Sequence, residues 1–78
     1  MPKQINVAED EKFIRVFIYD VNKDGDIEIP SNISEVEHFT NKDMGEKRIE
    51  GLIEKHNLKL KYETTQLGTK FQTYEPRD

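Results

Sequence analysis

The chain has 78 residues, 36% of them charged, with 12 Lys and Arg against 16 Asp and Glu, a formal net charge of −4 and no cysteine. That length fits one domain with a small core, and the missing thiols exclude a disulfide framework, a thiolate zinc site and a cysteine nucleophile. The acidic balance argues against binding to a phosphate backbone as the main activity, and no apolar run reaches the roughly 20 residues of a membrane span.

Leu, Ile, Val and Phe supply 20 of the 78 residues, above the level of about one-fifth below which highly charged chains stay disordered. Met1-Pro2-Lys3-Gln4 is followed by no apolar stretch of the kind that makes a signal peptide. With cysteine also absent, the chain reads as cytoplasmic, without a membrane partner. Residues 1–45 carry five basic against ten acidic side chains, and residues 46–78 carry seven against six.

Residues 1–11 are polar and read as a loosely ordered lead-in, with at most a short extended piece at Ile5 and Val7. Phe13-Ile14-Arg15-Val16-Phe17-Ile18-Tyr19 is β-branched and aromatic, a strand pattern. Asn22-Lys23-Asp24-Gly25 then turns the chain into a second alternating run, Asp26–Ile29, stopped by Pro30, which predicts a β-hairpin. Ile33, Val36 and Phe39 recur every third residue, and Ser34 with Glu37 has capping-box spacing, which predicts one or two helical turns.

A new start signal stands at Thr40-Asn41-Lys42-Asp43. Ile49, Leu52 and Ile53 form one apolar stripe behind it, with Asn57 as the C-terminal stop. Gly45 and Gly51 each cost such a helix about 1 kcal/mol relative to Ala, so packing must hold it. Leu58, Leu60 and Tyr62 alternate with Lys59, Lys61 and Glu63 as in a half-buried strand. Thr65-Gln66-Leu67-Gly68 turns the chain into a last strand, Lys70–Tyr74.

The expected fold is α+β: a two-layer sandwich in β-β-α-β-β order. Its mainly antiparallel sheet of about four strands carries one main helix on one face. The single domain spans residues 12–75, with a tail at 76–78. The expected core is Ile14, Val16, Ile18, Ile27, Ile29, Val36, Phe39, Ile49, Leu52, Ile53, Leu58, Leu60 and Phe71.

Three groups of residues could carry function. If Ile14, Val16 and Ile18 face the helix, then Phe13, Arg15, Phe17 and Tyr19 form an aromatic row with an Arg on the opposite face. One helix cannot cover both faces of a sheet. The row is then a protein interface, for another protein or a second copy, since aromatics and Arg are enriched there. In the other reading, Tyr74 and the N-terminal segment fold over it as a second core.

The second group is Asp20, Asn22, Asp24 and Glu28. Oxygen side chains at alternate positions with Gly25 at the bend resemble the start of an EF-hand calcium loop. With strands on both sides, the stretch is more similar to the calcium loop of FG-GAP repeats in integrin-like propellers. That resemblance implies Ca²⁺ as a cofactor, whereas the local reading is a bulged turn stabilised by its own Asx hydrogen bonds.

The third group is Lys59, Lys61, Lys70 and Tyr74, a basic and aromatic set for single-stranded nucleic acid. No nucleophile elbow, glycine-rich phosphate loop or metal-ligand spacing of histidines occurs, so the chain does not read as an enzyme. Small acidic domains of this kind serve as accessory or regulatory proteins in bacteria and phages, by analogy. The main expectation is a non-enzymatic protein-interaction module.

Overall fold

The computed structural model describes residues 2–21 and 33–77. In chain order it holds β1 (Lys3–Glu9), β2 (Ile14–Asp20), β3 (Ile33–Phe39), α1 (Lys42–His56), β4 (Leu58–Gln66) and β5 (Thr69–Pro76). The strands form one sheet in the order β3-β2-β1-β5-β4, every neighbouring pair antiparallel. The helix lies on one face, so the α+β architecture agrees with the sequence reading. Among the described residues, no helix is long and apolar enough to cross a membrane.

Two elements differ from expectation. The segment expected as a loose lead-in contains β1, the middle strand of the sheet, flanked by β2 and β5. Ile5 and Val7 are buried between their partners Ile18 and Val16 on one side and Tyr74 and Gln72 on the other. The first hairpin is therefore β1–β2. Its turn is closed by Asp10, whose Oδ1 accepts from the backbone N–H groups of Lys12 and Phe13 at 2.7 and 2.9 Å.

The stretch expected as helical turns is β3 instead. Its apolar residues recur by threes because an edge strand spends them on both faces. Phe39 pairs with Ile14 on the helix side, while Val36 pairs with Phe17 on the other. A register shift beside Tyr19 accommodates the rest. The sheet thus has five strands, where about four were expected. The expected run Asp26–Ile29 and its turn lie outside the described residues.

The helix begins and ends where its sequence signals stand. Asn41 caps it, its side chain accepting from Met44 N–H at 3.2 Å. Asn57 ends it in the left-handed conformation at φ 53°, a role usually taken by Gly and sometimes by Asn. Gly45, Ile49 and Leu52 are its buried face. They meet Ile5, Val7, Ile14, Val16, Ile18 and Leu58, with Phe39, Ile53 and Tyr74 packed around them. Val36, Leu60 and Phe71, expected in this core, are 54%, 50% and 41% exposed. Ile27 and Ile29 lie outside the described residues.

Candidate functional site

The strand registers fix which side chains share the face turned away from α1. Val36 pairs with Phe17, Phe17 with Asn6, Asn6 with Thr73 and Thr73 with Tyr62. Cross-strand partners stand on the same face. These five residues therefore make a row across all five strands, and none of them is charged. At about 4.8 Å per strand the row is roughly 19 Å long. Val36 and Tyr62 at its ends are exposed, and Phe17, Asn6 and Thr73 between them are half-buried.

Tyr62 reaches this face through a backbone irregularity. Simple alternation puts it beside Leu58 and Leu60, on the helix side. A register shift between Leu60 and Tyr62 inserts one extra residue and turns Tyr62 over, as a β-bulge does. Beside it Phe71, Thr64 and Gln66 complete an open groove with Asn6 and Thr73. Phe71 had been expected in the core; its partner Ala8 and its outward direction follow from the central position of β1.

The sequence-derived row is placed on this same face. Arg15 is exposed, and Phe17 and Tyr19 are half-buried. Phe13 precedes β2 and stacks against His38, ring centroids 4.9 Å apart. The Arg15 guanidinium lies over the Phe13 ring at 4.7 Å, and its Nε donates to His38 Nδ1 at 3.3 Å. Arg15, Phe13 and His38 thus form one cluster at the corner of the outer face. Lower on the face, Gln4 and Val21 are buried.

The second core expected from Tyr74 and the N-terminal segment does not form. Tyr74 pairs with Ile5 and Leu60 on the helix side, and the N-terminal segment is in the sheet as β1. Burial, then the nearby Glu63 charge, pushes the Tyr74 hydroxyl pKa up from 10.0.

The basic set is divided. Lys59 lies on the outer face with Glu75, its Nζ 3.9 Å from the carboxylate, and Lys61 approaches the same Glu75 at 3.6 Å. Lys70 and Tyr74 lie on the helix face, Lys70 paired with Glu9 at 3.7 Å. Each lysine already meets a carboxylate, and the four residues do not share one surface.

Of the calcium candidates, Asp20 closes β2 and accepts from Lys3, while Asn22, Asp24 and Glu28 lie outside the described residues. Comparison with family models, curated proteins and solved structures finds no match to this chain.

Sequence reasoning found Phe17 and Tyr19 but missed Val36, Tyr62, Phe71, Asn6 and Thr73. No signal marked Val36, which between Glu35 and Glu37 reads as an inward residue by simple alternation, whereas its register with Phe17 turns it outward.

Proposed function

We propose that the chain is a non-enzymatic protein-interaction module, and that its outer sheet face takes a second copy of the chain. The observation that supports this most directly is the uncharged row Val36–Phe17–Asn6–Thr73–Tyr62. In a chain with 36% charged residues, a neutral and partly aromatic band across a whole sheet has the composition of an interface centre, where charge is depleted and aromatics are enriched.

The same neutrality favours self-association. Two copies carrying −4 each repel at a distance, yet face to face along this row no like charges are opposed. Arg15, Lys59 and Glu75 lie off the row, at its rim. A small domain with a thin core also gains more from covering such a face than a large one does.

Sedimentation equilibrium from micromolar to millimolar concentration tests this reading. The wild type is expected to reach a dimer. Phe17→Ser and Val36→Ser are each expected to weaken the dimer by about ten-fold or more, the loss of about 1.4 kcal/mol, while circular dichroism stays native. A wild type that stays monomeric throughout, or dimers unaffected by both substitutions, would sink it.

A further inference from the structure

The helix covers only part of its own side of the sheet. α1 runs from β3 at one edge to β4 at the other, and a groove remains between it and β5. Ile49, Ile53 and Tyr74 line that groove, with Gln72 and Lys70 on its floor and Glu46 and Glu50 on its helix lip. Leu60, opposite Tyr74 in the β4–β5 register, extends the apolar floor and is half exposed.

The lip is part of a longer ridge. Glu46, Glu50 and Glu54 follow one another at four-residue spacing, which places them along one side of the helix. All three are exposed, and among the described residues none of them pairs with a Lys, Arg or His. Like charges at this spacing destabilise a helix. Across the groove, Glu63 accepts from Gln72 Nε2 at 2.6 Å. Glu9, by contrast, is already matched by Lys42 and Lys70.

We propose that this groove docks a short basic, amphipathic segment of another protein. Its Lys or Arg side chains meet Glu46, Glu50 and Glu63, and one or two bulky apolar side chains settle against Ile53, Leu60 and Tyr74. From Glu46 to Glu54 the ridge is about 12 Å long, the span of about four extended residues. The charge surplus on the lip and the uncovered apolar floor together select this chemistry. A purely basic or purely apolar segment satisfies only one of them. This surface is separate from the outer face and does not depend on dimerisation.

The test uses two labelled hexapeptides of equal charge, one alternating Lys with Leu and one alternating Lys with Ser. Binding is followed by fluorescence anisotropy and by amide NMR shifts on the full chain. The Lys–Leu peptide is expected to bind saturably, with shifts concentrated at Glu46–Glu54, Leu60 and Tyr74, and at least ten-fold more tightly than the Lys–Ser peptide.

The exposed double variant Glu46→Lys/Glu50→Lys is expected to lose about ten-fold in affinity, and Leu60→Ser several-fold, with native circular dichroism in both. Equal affinity for the two peptides would show charge attraction alone and overturn the proposal. Shifts centred elsewhere, or undiminished binding by the double variant, would overturn it as well.

Discussion

Gly45 on α1 faces Ile14 on β2 so closely that a β-carbon added to it would lie 2.9 Å from Ile14 Cδ1 and 3.2 Å from Ile14 Cβ. Phe39 Cβ would be only 3.3 Å away. The helix can touch the sheet at this point because it has no side chain there. A methyl group would gain about 1 kcal/mol of helix propensity. It would also force β2 or β3 aside, at about 1–3 kcal/mol for overpacking.

Gly45→Ala is therefore expected to lower stability by about 1 kcal/mol, read as a reduced urea midpoint at unchanged slope. Gly51, on the same helix, has nothing within 4 Å of its added β-carbon. Gly51→Ala is expected to raise stability by about 1 kcal/mol. If both substitutions stabilise, α1 sits farther from Ile14 than described.

The β4–β5 turn carries a residue poorly suited to it. Leu67 and Gly68 both have positive φ, 51° and 81°, and join the two strands directly, as in the type I′ hairpin turn that favours Asn-Gly. Leu67 is fully exposed, so its side chain contributes no packing to offset the strain. Leu67→Asn is expected to stabilise the chain by about 1 kcal/mol, the scale of the left-handed penalty. Thermal unfolding should then shift upward by about 4–8 °C. An unchanged or lower midpoint would mean that Leu67 holds a contact the described chain does not have.

Much of this fold is legible wherever a residue's local preference and its tertiary place agree. β2, the helix with Asn41 and Asn57 at its ends, and the β4–β5 hairpin can all be read from the sequence. β1 cannot, because Ile5 and Val7 are its only large apolar residues, and flanking strands rather than its own propensity make it central. β3 reads as helix because an edge strand spreads Val36 and Phe39 over two faces. Tyr62 reads as inward because nothing in Lys59-Leu60-Lys61 announces the bulge. The neutral outer row was half visible for the same reason. Phe17 and Tyr19 lie in an obvious strand, whereas Asn6, Val36 and Tyr62 depend on register.

Glu37 and Arg48 tie β3 to α1 through two bonds, Nε and Nη2 of Arg48 donating to the carboxylate at 2.8 and 2.9 Å. Those hydrogen bonds hold the Glu37 carboxyl below its ordinary pKa. A carboxyl with a depressed native pKa stabilises the fold above its unfolded value. That contribution fades as pH falls from about 4.5 through the native value. The pair is partly exposed, so Glu37→Gln is expected to cost only about 0.5–1 kcal/mol at neutral pH. Urea midpoints for wild type and variant should converge as pH falls from 4.5 through the native value. A constant gap across that range would assign the loss to packing instead.

His56 closes α1, where the helix dipole favours an imidazolium. Burial of the ring, followed by the charges of Lys55, Lys3 and Arg48, outweighs the dipole and lowers its pKa below 6.5. The native state then prefers the neutral ring, and the unfolded chain takes up its proton at higher pH. Stability contributed by this residue is complete above the unfolded value and falls as pH drops beneath it. The loss levels off once pH passes below the native value. His56→Gln should remove that part of the slope. Urea midpoints at about pH 7.5, 6.5, 5.5 and 5 would show it, because carboxylates other than strongly shifted ones stay ionised over that range. A wild-type curve that falls no more steeply than that of His56→Gln would mean the ring carries its proton as easily in the folded chain as in water.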